Sequence, residues 1–213
     1  MSLPASFVLT AVSALTLSSC GTGDGSGDHG NPAAADRADT PSASRTAPEP
    51  SRIDRPQISS PAGLSYAFDW PRTGDKEKDA VLADSEQSIR AVDLAIVNQD
   101  ALDPAYLHYY EGEAAAGTER FIQNYVDQEA TITGNYRFYD PRLAVREDGT
   151  ASFTYCEDQG KAYVKYLKDN RIRKTEVTAK SYVEYHTSLK KDADGAWKIQ
   201  GVSSKSGSAA CQP

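Results

Sequence analysis

The chain has 213 residues, of which three are cysteines, and a formal net charge of −7 at pH 7. This acidic balance, without a block of Lys and Arg, argues against nucleic-acid binding and against electrostatic attraction to an anionic lipid surface. Once the low-complexity N-terminal part is set aside, the length that is left suits one domain with one hydrophobic core.

The first 19 residues are typical of an export signal. Residues 3–17 are uncharged and mostly apolar, a length that suits a signal peptide and is shorter than a membrane-spanning helix. Because residues 1–7 contain no Lys or Arg, we expect the natural translation start to lie upstream.

The run Leu17-Ser18-Ser19-Cys20 resembles the lipobox of bacterial lipoproteins. This resemblance implies that the Cys20 thiol carries a diacylglyceryl group with fatty acids such as palmitate. It also implies that the protein is anchored at the extracytoplasmic face of the cell membrane. Two acyl chains at one residue suffice for stable anchoring. The alternative is an ordinary secretory signal in which the cysteine is incidental.

Residues 20–63 are rich in Gly, Ser, Ala, Pro, Asp and Arg and hold few large apolar side chains. Such a segment buries too little surface to offset the entropy of ordering, so it is predicted to be a disordered tether. The folded domain is predicted over residues 64–213.

Three helices are predicted at the start of this domain. Residues 75–98 place apolar side chains on one stripe at helical spacing. Asp103 followed by Pro104 is a strong start signal for a second helix. Thr118 is the predicted cap of a third helix, which ends near residue 130.

After Thr133 the apolar period changes from 3.6 to 2, which indicates strands. The predicted strands cover residues 136–147, 150–157, 161–168, 172–190 and 196–203. Asp148-Gly149 and Asp194-Gly195 are hairpin signals, and Asp140-Pro141 predicts an edge or a bulge. The alternation on these strands predicts an antiparallel sheet with one buried face. That face is expected to include Phe153, Tyr155, Val177, Ala179, Val183, Tyr185, Leu189, Trp197 and Ile199.

Cys156 and Cys211 are the two cysteines outside the signal. Outside the cytoplasm such a pair is expected to form a disulfide, here between the wetter face of the sheet and the C-terminal tail. Two free thiols are the alternative.

Helices followed by a long-stranded sheet, ending in the sequence DGAWKIQGVSS, resemble the NTF2-like (SnoaL-like) superfamily. The resemblance implies an α+β fold in which N-terminal helices cover a curved, cone-shaped antiparallel sheet that encloses a pocket. It also implies that dimers form through the sheet. The superfamily includes isomerases, dehydratases and many proteins without catalytic activity, so function depends on the site.

The predicted pocket residues are aromatic or acidic. They are Asp93, Tyr110, Tyr125, Tyr155, Glu157, Tyr185 and Trp197. No Gly-rich phosphate loop, zinc spacing or calcium loop is present in the sequence, so neither a cofactor nor a metal is expected.

Three functions agree with this pattern. The first is non-catalytic binding of a small apolar molecule or a protein partner. The second is an isomerase or dehydratase with Asp93 or Glu157 as base and Tyr155 or Tyr185 as oxyanion donor. The third is a surface interaction module with a filled core and no pocket.

Overall fold

The structure is a computed structural model that describes residues 55, 56 and 58–213. The predicted signal peptide, Cys20 and most of the predicted tether lie outside the described residues. The described elements are β1 (Leu64–Phe68), α1 (Lys76–Asn98), α2 (Pro104–Tyr109), α3 (Gly112–Asp127), β2 (Ala130–Val145), β3 (Thr150–Tyr166), β4 (Ile172–Arg173), β5 (Tyr182–Lys191) and β6 (Trp197–Ser206). None of these helices is long and apolar enough to cross a membrane.

The strands form one curved, open sheet in the order β1-β2-β3-β5-β6, with the short β4 beside β3. β1 runs parallel to β2 and the other pairs are antiparallel, so the sheet is mixed and not wholly antiparallel as predicted. The helices pack on one face, with α1 and α3 against β2 and β6 and α2 against β6. The predicted α+β arrangement of helices on a curved sheet is confirmed.

The helix starts agree with the sequence in two of three cases. Asp75 caps α1 by accepting hydrogen bonds from the backbone of Glu77 and Lys78, and Asp103 caps α2. The predicted start at Thr118 is wrong, because α3 already begins at Gly112. The cap position of α3 is Glu111, whose side chain makes no capping hydrogen bond, so the sequence carried no start signal there.

Both Asp-Gly turns are confirmed. Gly149 and Gly195 have φ angles of +76° and +87°, which glycine adopts without a steric penalty. The predicted irregularity at Asp140-Pro141 is also confirmed, since the β2–β3 register shifts between Tyr139 and Arg142. Residues 158–160, predicted to separate two strands, instead belong to the single strand β3.

The predicted strand over residues 172–190 is interrupted, because residues 172–173 form β4 and residues 174–181 are not a strand. Thr178 caps a short 3-10 helix over Ala179–Ser181, and the strand begins only at Tyr182. Val177, predicted to face the core, is 56% exposed. The alternation holds where the strands exist, since Phe153, Leu189, Trp197 and Ile199 are buried in the core with Tyr155 and Val183.

The C-terminal segment, residues 207–213, lies on the outer face of the sheet. The predicted disulfide between Cys156 and Cys211 is present and closes a sequence separation of 55 residues. Ser208 Oγ donates a hydrogen bond of 2.7 Å to Glu184 Oε2, and the Tyr139 hydroxyl donates to the Cys211 carbonyl oxygen. The tail is therefore fixed to three neighbouring strands.

The described residues before β1 also contact the domain. Arg55 pairs with Asp84 of α1, and Ile58 packs against the hydrophobic core. Contacts with the domain therefore begin ahead of Leu64, the predicted boundary.

Candidate functional site

A partly open cavity of about 910 Å³ lies between the helices and the inner face of the sheet. Residues of α1 and α3 form one wall, and residues of β2, β3, β5 and β6 form the other. Six predicted pocket residues line it: Asp93, Tyr110, Tyr125, Tyr155, Glu157 and Tyr185.

Trp197, the seventh predicted pocket residue, does not line this cavity. Its side chain is 1% exposed, and its backbone N–H donates a hydrogen bond of 2.9 Å to Asp84 Oδ2. Trp197 stands at the start of β6, where it packs in the core, and the cavity-lining part of β6 begins later, at Gly201.

Aromatic rings form much of the cavity wall. Tyr155 and Tyr185 are cross-strand neighbours on β3 and β5, and their rings stack with centroids 5.2 Å apart. Tyr136 and Phe138 of β2 add two rings that were not among the predicted residues. On α3, Tyr125 meets Phe121 edge to face at 5.4 Å. The wall is therefore apolar with hydroxyl groups placed on it.

Glu157 is a buried acid in this wall. It is 6% exposed, and the alternation of β3 brings it to the cavity with Tyr155 and Gln159. Gln159 Nε2 donates a hydrogen bond of 3.0 Å to Glu157 Oε2. Burial raises the pKa of Glu157 to about 7, although Gln159 and the Tyr185 hydroxyl act in the opposite direction. Glu157 therefore exchanges a proton near neutral pH.

Asp93 enters the cavity from α1. Burial, reinforced by the negative charge of Glu157, raises the pKa of Asp93 to about 8. The Tyr66 hydroxyl and the Arg90 guanidinium act in the opposite direction. The Tyr66 hydroxyl faces this carboxyl but has no partner of good hydrogen-bond geometry. At neutral pH the Asp93 carboxyl is therefore mostly protonated.

Neither cavity acid forms an ion pair within the described part of the chain. The nearby Arg90 places its guanidinium 4.6 Å from the Tyr66 ring centroid and donates to Ser60 Oγ at 2.8 Å. Across residues 55, 56 and 58–213, no group of three His, Cys, Asp or Glu side chains is arranged to hold a metal ion.

Two exposed apolar side chains mark the mouth of the cavity. Phe121 of α3 is 49% exposed and Val202 of β6 is 42% exposed, and both belong to the lining. Glu113 and Arg120 are exposed lining residues of opposite charge on α3. An apolar molecule could therefore reach the interior past a mouth without a dominant charge.

No protein-family model matches the chain, and no curated protein matches it. Among solved structures, a ketosteroid isomerase-like protein from Erwinia carotovora atroseptica is 9% identical, with 62% of this chain and 97% of that chain covered and a TM-score of 0.43. The intermembrane space region of the chloroplast protein ARC6 is 15% identical, with 64% and 99% covered and a TM-score of 0.38. A protein from Shewanella frigidimarina, assigned provisionally as a ketosteroid isomerase, is 16% identical, with 61% and 98% covered and a TM-score of 0.32. At these TM-scores the matches carry no argument about what the cavity does.

Proposed function

We propose that this domain binds a small, mostly apolar molecule in its cavity, and that a lipid on Cys20 anchors the protein at the extracytoplasmic face of the cell membrane. The cavity of about 910 Å³ carries the binding proposal. Its volume lies in the range of about 300–1,000 Å³ that small-molecule sites occupy.

The chemistry of the wall supports the same function. Ligand sites are typically apolar and aromatic with a few polar groups that fix orientation. Here the tyrosine rings supply the apolar surface, and Asp93, Glu157 and Gln159 supply the polar groups. A surface module with a filled core does not agree with a cavity of this size.

Native mass spectrometry of the full chain, purified without reductant, tests the proposal by detecting a co-purifying small molecule. Displacement of the neutral dye Nile red reports on the same cavity. Thr118→Trp fills the cavity from α3 and should abolish dye binding, whereas Glu119→Trp adds the same side chain at a neighbouring exposed position outside the lining. Equal dye binding by both variants would contradict the proposal.

The lipid anchor is tested separately. In the native host the protein should fractionate with membranes and incorporate labelled palmitate, and Cys20→Ala should abolish both. A membrane-bound, labelled Cys20→Ala variant would exclude Cys20 as the attachment site.

The family resemblance also implies a dimer that forms through the sheet. Sedimentation of the purified full chain measures whether the protein is a monomer or a dimer.

The protonation behaviour of Glu157 favours a second candidate, an isomerase or dehydratase that moves a proton. A general base works best when its pKa lies near the working pH, and the pKa of Glu157 is about 7. The probe 5-nitrobenzisoxazole tests for such a base. The carboxylate would remove its C3 proton while the N–O bond breaks to give a cyanophenolate, which is followed by absorbance.

Under this second candidate the rate should rise with a midpoint at about pH 7. Glu157→Gln should lower it by about 100-fold. The exposed Glu147→Gln is the control with the same change of charge. A rate no higher than that of free carboxylate in buffer would leave binding as the function.

A further inference from the structure

We infer that the ligand of this cavity is an organic ammonium ion, whose charge lies against the carboxyl groups of Asp93 and Glu157 and whose apolar part lies against the tyrosine rings. This inference rests on the proposed binding function and specifies the ligand class. Three features of the described residues carry it.

The first feature is the pair of carboxyl groups inside the cavity. Two acids reach it from opposite walls, Asp93 from α1 and Glu157 from β3. Neither has an ion-pair partner in the described part of the chain. Without a partner, such carboxyl groups stay protonated to higher pH, because an unpaired charge away from water is costly. A bound cation would supply the missing partner and allow both to ionise.

Two arginines lie near the cavity acids or in the cavity lining. Arg90 lies over the rings of Tyr66 and Phe68 and donates to Ser60. Arg120 is exposed on α3 and lines the cavity, as does the exposed Glu113. Neither arginine forms an ion pair with Asp93 or Glu157 in the described part of the chain, so a ligand can take that place.

The second feature is the aromatic wall. The faces of aromatic rings attract cations, and rings arranged around a site are a common means of binding organic ammonium groups. The cavity is lined by Tyr110, Phe121, Tyr125, Tyr136, Phe138, Tyr155 and Tyr185. A neutral ligand would use these rings for apolar contact alone, whereas an ammonium ion would use both their faces and the carboxylates.

The third feature is the protonation of the two acids. Burial holds both pKa values above the ordinary range of carboxyl groups. A cation favours the ionised form and lowers these values, so binding should release protons near neutral pH. The groups that influence the two acids are Tyr66, Arg90, Asp158, Gln159 and Tyr185, together with Glu157 acting on Asp93, and only Arg90 among them is a cation. The hydroxyls of Tyr110, Tyr125, Tyr136 and Tyr155 complete the titratable surroundings.

A matched pair of probes tests the inference on the full chain. Benzyltrimethylammonium carries the charge, and neopentylbenzene is its neutral carbon isostere. Displacement of Nile red by each probe is measured between about pH 6 and pH 9. The ammonium probe should bind at least about tenfold more tightly than its isostere above pH 8, and its affinity should rise about tenfold across this range as the acids ionise.

Variants separate the acids from the rest of the cavity. The double variant Asp93→Asn and Glu157→Gln should bind both probes equally and lose the pH dependence. Glu147→Gln on the hairpin turn should behave as the unmodified protein. Circular dichroism of each variant verifies that the fold is retained.

The outcomes distinguish the two proposals. If the isostere binds as well as the ammonium probe, or affinity for the ammonium probe falls as the pH rises, the cation inference is overturned and the binding function stands. If neither probe nor Nile red binds and no molecule co-purifies, the binding function fails as well.

Discussion

The guanidinium of Arg55 donates two hydrogen bonds to the carboxylate of Asp84. Nε lies 2.6 Å from Oδ1 and Nη2 lies 3.0 Å from Oδ2. The Asp84 side chain is fully buried, whereas that of Arg55 is 32% exposed. The backbone N–H of Trp197 donates a further hydrogen bond to Asp84 Oδ2, at 2.9 Å. A residue from the segment before β1 thus neutralises a charge inside the domain.

Arg55→Ala should destabilise the protein, because it leaves a buried carboxylate without its counter-charge. We expect the free energy of unfolding to fall by about 2–3 kcal/mol, measured by urea denaturation. Adding Asp84→Asn to Arg55→Ala should recover part of the loss, since the buried group is then neutral and its oxygen still accepts from Trp197.

The exposed pair Arg137–Asp69 is the matched control. Arg137→Ala should change the free energy of unfolding by less than about 1 kcal/mol. If Arg55→Ala costs no more than Arg137→Ala, the pair with Asp84 does not stabilise the domain.

The double variant Cys156→Ser and Cys211→Ser removes the disulfide. Because the bond closes a loop spanning 55 residues, its loss should lower the free energy of unfolding by up to about 4 kcal/mol. Urea denaturation with and without reductant measures the effect. Reductant should destabilise the unmodified protein and leave the double variant unchanged; sensitivity of the double variant would point to another cause.

The two cavity acids predict a pH dependence of stability. Folding raises the pKa of Asp93 from 3.8 to about 8 and that of Glu157 from 4.5 to about 7. Between these values the folded state binds more protons than the unfolded state, so stability falls as the pH rises from about 4 to 8. The slope ends once both folded-state values are passed.

Asp93→Asn and Glu157→Gln should each flatten this dependence. Across the full pH range, the free energy of unfolding of the variant should change relative to that of the unmodified protein. The change is about 1.4 kcal/mol for every unit by which folding raises the pKa of the replaced acid. Urea denaturation at a series of pH values measures it. Parallel curves for variant and unmodified protein would show that folding leaves these acids unperturbed.

Tyr185→Phe keeps the ring stacked on Tyr155 and removes the hydroxyl that favours ionised Glu157. The pKa of Glu157 should therefore rise further, by about one unit if the hydroxyl contributes as a typical hydrogen bond to a charged group. Titration of the Glu157 carboxyl carbon by NMR measures the shift. An unchanged or lower pKa would contradict the contact.

The sequence was most informative where one residue type determines local geometry. Asp103 marks a helix start, Gly149 and Gly195 mark turns, and Pro141 marks the bulge in β2. Caps and turns depend on near neighbours in the chain, so they can be recognised without the fold.

β1 was missed for the opposite reason. Its five residues pair in parallel with β2, about 70 positions further along the chain. No local sequence pattern indicates such a distant partner. The same pairing places Tyr66 against Asp93, so this part of the site also lay beyond the sequence. Tyr136 and Phe138 of β2 also line the cavity, although no predicted pocket residue lies on β2. Their spacing of two along the strand is the signal that places both on one face.

The β1–β2 pairing also bears on aggregation. β2 is 16 residues long, and without β1 it would present unpaired backbone groups at residues 134–138, where a strand of another chain could dock. β1 replaces this edge with one of five residues, flanked by Pro61 and Pro71, which cannot donate backbone hydrogen bonds. β1 therefore shields residues 134–138 of β2 from pairing with a strand of another copy of the chain.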